Sequence, residues 1–586
     1  MTAQSLPTLT DRIEAIMAAA IRRAVPEAGQ VDALVRRSDH ADYQSNAALP
    51  LAKRLGQKPR DLATSALEHL DRRDLIADAV VSGPGFVNLR LTDAAIWGQV
   101  AVRLADSRLG IGQPEAGSIT PIDYSAPNVA KQMHVGHLRT TVIGDTLARL
   151  LEFLGARVIR QNHLGDWGTQ FGMLIQYLDE HPDAEWHRAG DDVTDNIIAL
   201  DELYRRSRTQ FNEDEAFADR ARARVVALQS GDAATLRAWR DLVRVSMAAF
   251  NAIYDRLGVD LTDADIAGES FYNDQLDNVV QELVDAGIAV ESEGALCVFF
   301  DEFTGPDDNP VPLIIRKSDG GYGYATTDLA TIRHRIRDLR ATRVLYVVDA
   351  RQSMHFQMIF ATARRAGWLT ADVEVVHTAF GTILGPDGRP FKTRSGGTVP
   401  LTQLLDEAVA AARAVVAEKN PDLPPADLDS IAEAAGIGAV KYADLSTART
   451  TDYRFDPAKM VALTGNTGVY LQYAHTRTAS ILRKAQGMAP AVDPAVTMTE
   501  SERALALHLD AYGHALTETA ELYEPHRLAT YLYNLAKLFS AFYENSPILT
   551  APTPTHRHNR LALTALTQQT LYNGLSLLGI TPLDRM

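Results

Sequence analysis

Cysteine and long apolar runs are both scarce in this chain, and each scarcity excludes a class of protein. Cys297 is the only cysteine among 586 residues, which rules out an internal disulfide and a thiolate-clustered zinc or iron–sulfur site. Within GALCVFF it is expected to be a small core residue rather than a nucleophile. No apolar stretch reaches the roughly 20 residues of a membrane-spanning helix. The N-terminus also lacks the pattern of a secretory signal, so we expect a cytoplasmic protein without a membrane partner.

The overall charge is negative, and this argues against unspecific binding to nucleic acid. The formal net charge is −16, whereas such binding depends on neutralising phosphates with lysine and arginine. We therefore expect no DNA partner. A specific nucleic-acid partner stays open, because an acidic protein can still present a local basic surface. The length of 586 residues predicts about three or four domains, since one hydrophobic core does not extend so far.

Gly/Pro-rich turns and changes of hydrophobic period divide the chain. Residues 1–112 alternate helical patterns with short strands and end in GPGFVNLRL, which predicts an N-terminal α+β domain. Residues 113–400 then show strand–helix–strand units. In the first unit, ITPID and ARVIRQN are strands around a helix that starts at Gly136 and is capped by Gly155. Two such units flank a mostly helical insertion at about 175–300.

The strand–helix alternation predicts a doubly wound, nucleotide-binding domain with a parallel sheet. Its later elements are a helix over residues 328–339, the strand TRVLYVVD, a helix over 353–367 and the strand VEVVHTA. Beyond about residue 400 the patterns are helical throughout. They predict a helical connection at 401–460 and an all-helical domain at 461–586. The expected fold class is therefore α/β, with a Rossmann-like doubly wound domain that carries a helical insertion.

Two histidines and a glycine stand where the first strand of the doubly wound domain meets its first helix. KQMHVGHLRTT places His134, Gly136 and His137 at this helix start. Ligands of such folds bind at the carboxyl ends of the strands, and a helix start offers free N–H groups to phosphate. The imidazoles can donate hydrogen bonds to oxygens that gain charge in a transition state. The alternatives are ordinary capping residues and a zinc site; no metal site is predicted, because no cysteine or third histidine stands close by.

The segment from Asp123 to Gly172 resembles a known family. IDYSAPNVAKQMHVGHLRTT and HLGDWGTQFG are similar to the signature region of class I aminoacyl-tRNA synthetases, specifically of arginyl-tRNA synthetases, and HVGH corresponds to their HIGH motif. The resemblance covers essentially the whole chain. It implies a Rossmann-like catalytic domain, an N-terminal domain that touches the tRNA elbow, and an all-α C-terminal anticodon-binding domain. The ATP-binding residues that it implies are His134, Gly136, His137, Asp166, Gly168 and Lys392.

The second signature of this family is a loop, KMSKS, that presses cations onto the ATP phosphates. FKTRSGG takes its place here, with Phe391 at the first lysine position and Arg394 at the second. A polyphosphate whose charge shifts toward departing pyrophosphate needs nearby positive groups. The candidates are Lys392, Arg394 and Lys131, the last of which can stand in for the missing lysine. Considered alone, FKTRSGG also suits a Gly-rich surface loop. ATP is expected as a substrate together with Mg²⁺, without a structural metal in the protein.

Selecting arginine requires carboxylates arranged for a planar guanidinium. In GYGYATTDLA, Tyr324 and Asp328 are four residues apart at a helix start and so share one face. The resemblance makes both residues arginine contacts. The further arginine contacts that it implies are Asp123, Asn128, Glu269 and Gln352. From the residues alone, Asp328 also suits the positive end of a helix, and Glu269 also suits a solvated charge.

Aromatic and basic residues are mixed near the start of the C-terminal domain, in GNTGVYLQYAHTRTASILRK. Aromatic faces stack on splayed bases and cations hold phosphates, which is how single-stranded RNA loops are recognised. Tyr470 and Tyr473 are three residues apart, with Arg477 one turn further along. Such a stripe belongs to a core more often than to an RNA-binding surface. The candidate tRNA contacts are these two tyrosines and, by resemblance, Phe86, Asn88, Tyr543 and Met586.

The resemblance implies the function of an arginine–tRNA ligase, with tRNA(Arg), L-arginine and ATP as partners. It also implies that activation of the amino acid requires bound tRNA. Two other classes stay open: an adenylyl or nucleotidyl transferase that does not use tRNA, and a relative that binds tRNA without catalysis. A monomer is expected, because no heptad pattern demands a dimer.

Overall fold

The structure is a computed structural model, and it describes residues 5–184, 186, 193–304, 311–385, 387–391 and 399–586. Two predicted site residues, Lys392 and Arg394, lie outside these ranges. Within them, no helix combines the length and the apolar composition needed to cross a membrane. Cys297 is buried.

An antiparallel sheet flanked by helices forms the N-terminal part of the chain. The helices are α1 (Leu9–Ala24), α2 (Ala48–Leu55), α3 (Pro59–Glu68) and α4 (Asp93–Ala105). The strands are β1 (Val35–Arg37), β2 (Tyr43–Ser45), β3 (Ile76–Ser82) and β4 (Phe86–Leu91), in the order β1-β2-β4-β3. Gly85 in the β3–β4 turn has φ 144°, and a Cβ there would lie 2.8 Å from the backbone of Pro59. The predicted GPG turn therefore requires a glycine at this position.

A strand–helix–strand unit follows, as the sequence predicts. β5 (Ile119–Asp123) leads through a loop and a 3-10 turn (Val135–His137) into α5 (Leu138–Phe153), and β6 (Arg157–Gln161) comes next. The α-helix starts two residues after Gly136, because the two histidine side chains cap a 3-10 turn at that place. Gly155 follows the C-cap residue Leu154 at φ 101°, in the region that favours glycine.

Helices form most of the insertion. They are α6 (Thr169–Glu180), α7 (Val193–Glu213), α8 (Glu215–Gln229), α9 (Ala233–Leu257) and α10 (Leu276–Asp285). The insertion ends in a small antiparallel sheet of β7 (Val290–Ser292), β8 (Ala295–Val298) and β9 (Leu313–Arg316), hydrogen-bonded in that order. This sheet was not predicted from the sequence, because strands of three or four residues have too few positions to show a clear alternation.

The second half of the central sheet completes the doubly wound arrangement. Its elements are α11 (Tyr324–Arg337), β10 (Arg343–Tyr346), α12 (Ser353–Arg365) and β11 (Glu374–His377). The four parallel strands are hydrogen-bonded in the order β11-β10-β5-β6. The chain continues from β5 to β6 toward one edge of the sheet and from β10 to β11 toward the other edge, so the strand order reverses between β5 and β10. The connections that follow these two strands diverge, and a ligand crevice is expected at their carboxyl ends.

The rest of the chain is mainly helical. Its helices are α13 (Leu401–Lys419), α14 (Pro425–Leu445), α15 (Pro457–Met460), α16 (Gly468–Lys484), α17 (Glu500–Asp510), α18 (Tyr512–Leu522), α19 (Pro525–Asn545) and α20 (Pro554–Leu577). Two short strands pair in parallel, β12 (Ile383–Leu384) with β13 (Tyr453–Arg454). The expectation of helices throughout residues 401–586 is therefore wrong at β13, where two residues are too few to show any period.

Buried ion pairs join the C-terminal helices to the N-terminal part. Asp510 on α17 pairs with Arg103 on α4 at 2.8 Å. Arg503, also on α17, pairs with Asp42 at 2.6 Å. All four side chains are at most 5% exposed, and charges so deeply buried require partners. These pairs therefore hold the two ends of the chain against each other.

Candidate active site

A tight turn between β5 and α5 holds both histidines of HVGH. The backbone N–H of His134 donates to Nδ1 of His137 at 3.1 Å, and the N–H of Gly136 donates to Nδ1 of His134 at 3.1 Å. The two ring centroids lie 4.0 Å apart. Because each Nδ1 accepts a hydrogen bond, each neutral ring carries its proton on Nε2. The turn therefore offers a ligand two Nε2–H donors.

Burial keeps these two rings neutral. It lowers the pKa of His137 to about 3, with smaller contributions from the neighbouring His134 and Lys131. Burial, followed by the charge of Lys131, also lowers the pKa of His134. Nζ of Lys131 lies 4.3 Å from the ring centroid of Tyr204 on α7. Neutral donors beside a cation suit the binding of phosphate oxygens better than they suit proton transfer.

A side chain at Gly136 would require the ring of His134 to shift. The turn is also hydrogen-bonded to the segment that follows the second signature. A Cβ at Gly136 would lie 2.9 Å from Cε1 of His134. The N–H of Val135 donates to the carbonyl of Val399 at 3.0 Å. At the first residue of the second signature, the ring of Phe391 lies 5.7 Å from that of Phe455. Lys392 and Arg394 belong to the intervening residues that the structure does not describe, so their predicted roles stay predictions.

The HLGDWG segment contacts the insertion just before α10. The N–H of Glu269 donates to the carbonyl of Leu164 at 3.0 Å. The carboxylate of Asp166 accepts from the backbone N–H of Ser270 at 2.9 Å and from its hydroxyl at 2.6 Å. Burial raises the pKa of Asp166. Gly168 precedes α6 at φ 104°, a conformation that favours glycine.

A cavity of about 630 Å³ lies beside this segment and the starts of α11 and α12. Its lining includes Gly168, Glu269, Lys317, Tyr324 and His355. Burial raises the pKa of Glu269 to about 7, the charges of Asp166 and Asp328 add to this rise, and His163 opposes it. A buried carboxyl with a raised pKa is stabilised in its charged form by a cationic ligand. The cavity therefore suits a cation.

Three family models together cover most of the chain. "Arginyl tRNA synthetase N terminal domain" matches residues 11–91, "tRNA synthetases class I (R), catalytic domain" matches 100–457, and "DALR anticodon binding domain" matches 471–586. A curated arginine–tRNA ligase from Frankia casuarinae is 64% identical over 100% of both chains. The chain belongs to the arginyl-tRNA synthetase family. The predicted family and the predicted enzyme class, an AMP-forming aminoacyl-tRNA ligase, are thereby confirmed.

Solved arginyl-tRNA synthetases share the fold over the full length. The crystal structure from Plasmodium falciparum has a TM-score of 0.81 and 28% identity, and the match covers 100% of both chains. The structure from Thermus thermophilus has a TM-score of 0.80 and 27% identity, covering 98% of this chain and 100% of the other. The predicted fold class, a class I catalytic domain between an N-terminal domain and a helical C-terminal domain, is confirmed.

In this synthetase, Asp123 ends β5 as predicted, but its charge already has a partner. Oδ2 of Asp123 accepts a hydrogen bond from Arg335 at 2.8 Å, and the Arg335 side chain is 0% exposed. The guanidinium also lies 4.9 Å from the ring centroid of Tyr346. Arg335 was not among the site residues predicted from the sequence. Arg335 follows the apolar Ile332 by three residues on α11, so both side chains face the core. A cation that faces the core requires a buried acid, and this was the available signal.

The start of α11 carries Tyr324 and Asp328, as the sequence predicts. Nε2 of His355 lies 2.6 Å from Oδ2 of Asp328, and the rings of His355 and Tyr324 are 5.0 Å apart. Tyr324 and His355 line the cavity, and Asp328 is joined to it through His355. His355 was not predicted from the sequence either. Its position in the first turn of α12, at the carboxyl end of the sheet, was the available signal.

The structure does not bring every predicted arginine contact to the cavity. Asn128 and Gln352 are both exposed, and neither is among the described residues that line the cavity. Asn128 lies against the HLGDWG segment, where a Cβ on Gly165 would be 2.3 Å from its Oδ1. Gln352 ends a 3-10 turn before α12.

Two of the predicted tRNA contacts form one surface feature on the C-terminal helices. Tyr473 and Tyr543 are 36% and 45% exposed. The guanidinium of Arg477 lies 5.0 Å from the first ring and 5.3 Å from the second. We call these three residues the tyrosine–arginine cluster. Tyr470, in contrast, packs against Tyr533 at 5.9 Å and joins the core.

The remaining tRNA candidates lie on other elements. Phe86 and Asn88 are both on β4, and Oδ1 of Asn88 accepts a hydrogen bond from Gln44 at 2.8 Å. Met586 packs against a small apolar cluster that includes Val416 and Leu428. The candidates thus lie on the N-terminal sheet, at the C-terminus and in the tyrosine–arginine cluster.

Proposed function

We propose that the chain joins L-arginine to tRNA(Arg) in two steps, with ATP and Mg²⁺. The arginine carboxylate attacks the α-phosphorus of ATP in line, and pyrophosphate leaves. The 2′-hydroxyl of the terminal adenosine of tRNA(Arg) then takes the arginyl group, and AMP leaves. One observation carries the proposal: the cavity at Glu269 and the two Nε2–H donors of HVGH both belong to the carboxyl ends of one parallel sheet.

The HVGH turn binds the phosphate and ribose region of ATP in this proposal. His134 and His137 donate from Nε2, and Gly136 allows close approach of the ligand. Because burial holds both rings neutral, they can stabilise negative charge in the transition state without giving up a proton. Asp166 and Gly168 are assigned to the same ATP site by their place in HLGDWG.

Cations neutralise the polyphosphate as charge shifts toward pyrophosphate. We assign this role to Lys131, Lys392 and Arg394. Lys131 has the strongest support, because its charge acts on both HVGH imidazoles and lowers the pKa of each. The Mg²⁺ that accompanies ATP shares the same task. The proposal includes no structural metal in the protein.

The arginine side chain enters the cavity at Glu269. Glu269 and Asp328 receive the guanidinium. Burial and then the charges of Asp166 and Asp328 raise the pKa of Glu269, so its ionisation is costly until a cation arrives. A planar guanidinium satisfies two carboxylates at once. Tyr324 lines the same cavity. The residues assigned to complete the arginine site are Asp123, Asn128 and Gln352.

The tRNA reaches both ends of the chain in the proposal. Tyr473 and Tyr543 stack on anticodon-loop bases and Arg477 holds a phosphate, since exposed rings and a cation stand together there. The further tRNA contacts are Phe86, Asn88, Tyr470 and Met586. The proposed division is an elbow-recognition domain at 1–112, a catalytic domain at 113–400, a connection at 401–460 and an anticodon-binding domain at 461–586. We expect a cytoplasmic monomer.

Arginine-dependent exchange of pyrophosphate into ATP tests the proposal. Exchange should require both arginine and tRNA(Arg), and charging of tRNA should show the same preference for arginine. Exchange without any amino-acid preference would instead indicate an adenylyl or nucleotidyl transferase. Binding of tRNA without any charging would indicate a non-catalytic tRNA-binding protein.

A further inference from the structure

The pair formed by His355 and Asp328 joins two helices outside both signature motifs. Nε2 of His355 on α12 lies 2.6 Å from Oδ2 of Asp328 on α11. The two side chains are 12% and 17% exposed, so the contact is largely shielded from water. The other carboxylate oxygen of Asp328, Oδ1, does not take part in this hydrogen bond.

We propose that His355 is a positioning residue for guanidinium recognition: it holds Oδ2 of Asp328 so that Oδ1 is presented to the substrate. The proposal rests on the proposed function, because it takes Asp328 as an arginine contact. His355 does not touch the reacting atoms. It acts through the orientation of the carboxylate.

The chemistry of the pair supports this role. An ionised carboxylate only accepts hydrogen bonds, so Nε2 of His355 carries the proton. The hydrogen bond from His355 uses one oxygen of Asp328 and leaves the other as an acceptor for the substrate. The terminal torsion of an aspartate is broad and roughly two-fold when nothing holds it. A fork-shaped guanidinium requires acceptors in fixed positions, so a held carboxylate discriminates better than a rotating one.

The ring of His355 is itself held in place. Its centroid lies 5.0 Å from that of Tyr324 and 5.5 Å from that of Phe356. Tyr324 and His355 also line the cavity together. The positioning of Asp328 therefore depends on a ring that contacts the same space as the substrate.

The test compares two replacements of His355 in tRNA charging. His355→Phe keeps a ring and removes the donor, and it should raise KM for arginine roughly ten- to hundredfold, as expected for losing a hydrogen bond to a charged group. KM for ATP should not change. His355→Gln, whose amide restores a donor near the position of Nε2, should recover most of the arginine affinity. If His355→Phe is insoluble, His355→Asn replaces it, because the shorter amide does not reach Oδ2.

His334→Phe is the matched control. His334 pairs with Asp338 at 2.7 Å on the same helix as Asp328, and it is not among the described residues that line the cavity. This variant loses a His–Asp contact whose aspartate is 60% exposed and which lies outside the cavity lining, so it should keep the KM for arginine. If the KM for arginine rises as much in His334→Phe as in His355→Phe, loss of any His–Asp pair on α11 weakens arginine binding. That result would overturn the inference.

A double-mutant cycle separates the inference from the proposed function. In an Asp328→Asn background, His355→Phe should add almost nothing, because the partner through which it acts is gone. Additive effects, or an unchanged arginine KM in His355→Phe alone, overturn the inference. If Asp328→Asn by itself leaves the arginine KM unchanged, the proposed arginine site fails, whatever His355 does.

Discussion

Replacing Glu269 by glutamine tests the arginine cavity most directly, because it should change stability and affinity in opposite directions. Glu269 has a pKa raised to about 7 from 4.5, first of all by burial. The folded chain without arginine therefore binds more protons than the unfolded chain between about pH 4.5 and 7. The stability of the folded chain falls as pH rises through this window, and the full cost of ionising Glu269 in the fold is present above about pH 7. Glu269→Gln has no charge to bury and escapes that cost.

The size of the effect follows from the same shift in pKa. At about 1.4 kcal/mol per pH unit, a rise from 4.5 to about 7 corresponds to roughly 3 kcal/mol. Glu269 is only partly buried, so about 1–3 kcal/mol is a realistic range for the gain in stability near pH 8. Losing one partner of a shielded ion pair costs about 3–5 kcal/mol. The KM for arginine should therefore rise by roughly a hundredfold or more.

Thermal unfolding and tRNA charging measure the two effects together. Without arginine, Glu269→Gln should melt above the wild type at about pH 8 and approach it at about pH 5. Arginine should bind the wild type more tightly above about pH 7 than below it, because the cation displaces a proton from Glu269. Glu180→Gln is a suitable control, since a hydrogen bond from Arg220 lowers the pKa of Glu180 and removing that carboxylate should not stabilise the fold. A less stable Glu269→Gln with an unchanged arginine KM refutes the reasoning.

Three further changes test the other proposed contacts. Lys131→Ala should slow arginine activation by roughly tenfold or more, because a cation beside the ATP phosphates is lost, and near-normal pyrophosphate exchange would refute that role. Gly136→Ala should raise KM for ATP, since its Cβ would lie 2.9 Å from the His134 ring; an unaltered ATP titration would show that the ring can move at no cost. Arg477→Ala should raise KM for tRNA roughly five- to fiftyfold while arginine KM stays constant, and an unchanged tRNA titration would remove the tyrosine–arginine cluster from the interface.

Periodicity predicted the long elements well and the very short ones poorly. The helix α12 and the strands β5, β6, β10 and β11 occur where they were predicted, whereas α11 begins at Tyr324, four residues before its predicted start. The strands β7 and β13 contain three and two residues, which is too few to repeat a pattern. Their existence depends on partner strands elsewhere in the chain, such as β12 for β13. The local sequence does not indicate such a partner strand.

The chemical type of a site residue was likewise easier to predict from the sequence than the residue with which it pairs. Asp123 and Asp328 were identified as acids near the ligand crevice, but their partners Arg335 and His355 were not. Arg335 stands 212 positions from Asp123, and His355 stands 27 positions from Asp328. Only the fold brings these partners together. The pattern of apolar residues on α11 indicates that Arg335 is buried, but it does not indicate which acidic residue pairs with Arg335.

The two acids at the crevice differ in a way that only their surroundings reveal. Asp123 has a buried guanidinium of the protein at 2.8 Å, so a second guanidinium would have to share a charge that is already neutralised. Glu269 is partly buried, and its burial, followed by the charges of Asp166 and Asp328, raises its pKa to about 7. An acid at the end of a strand is therefore weak evidence for a cationic substrate, because the fold can supply the cation itself. A buried acid whose neighbours do not offset its charge is much stronger evidence, and it supports Glu269 more strongly than Asp123 as a proposed contact of the arginine side chain.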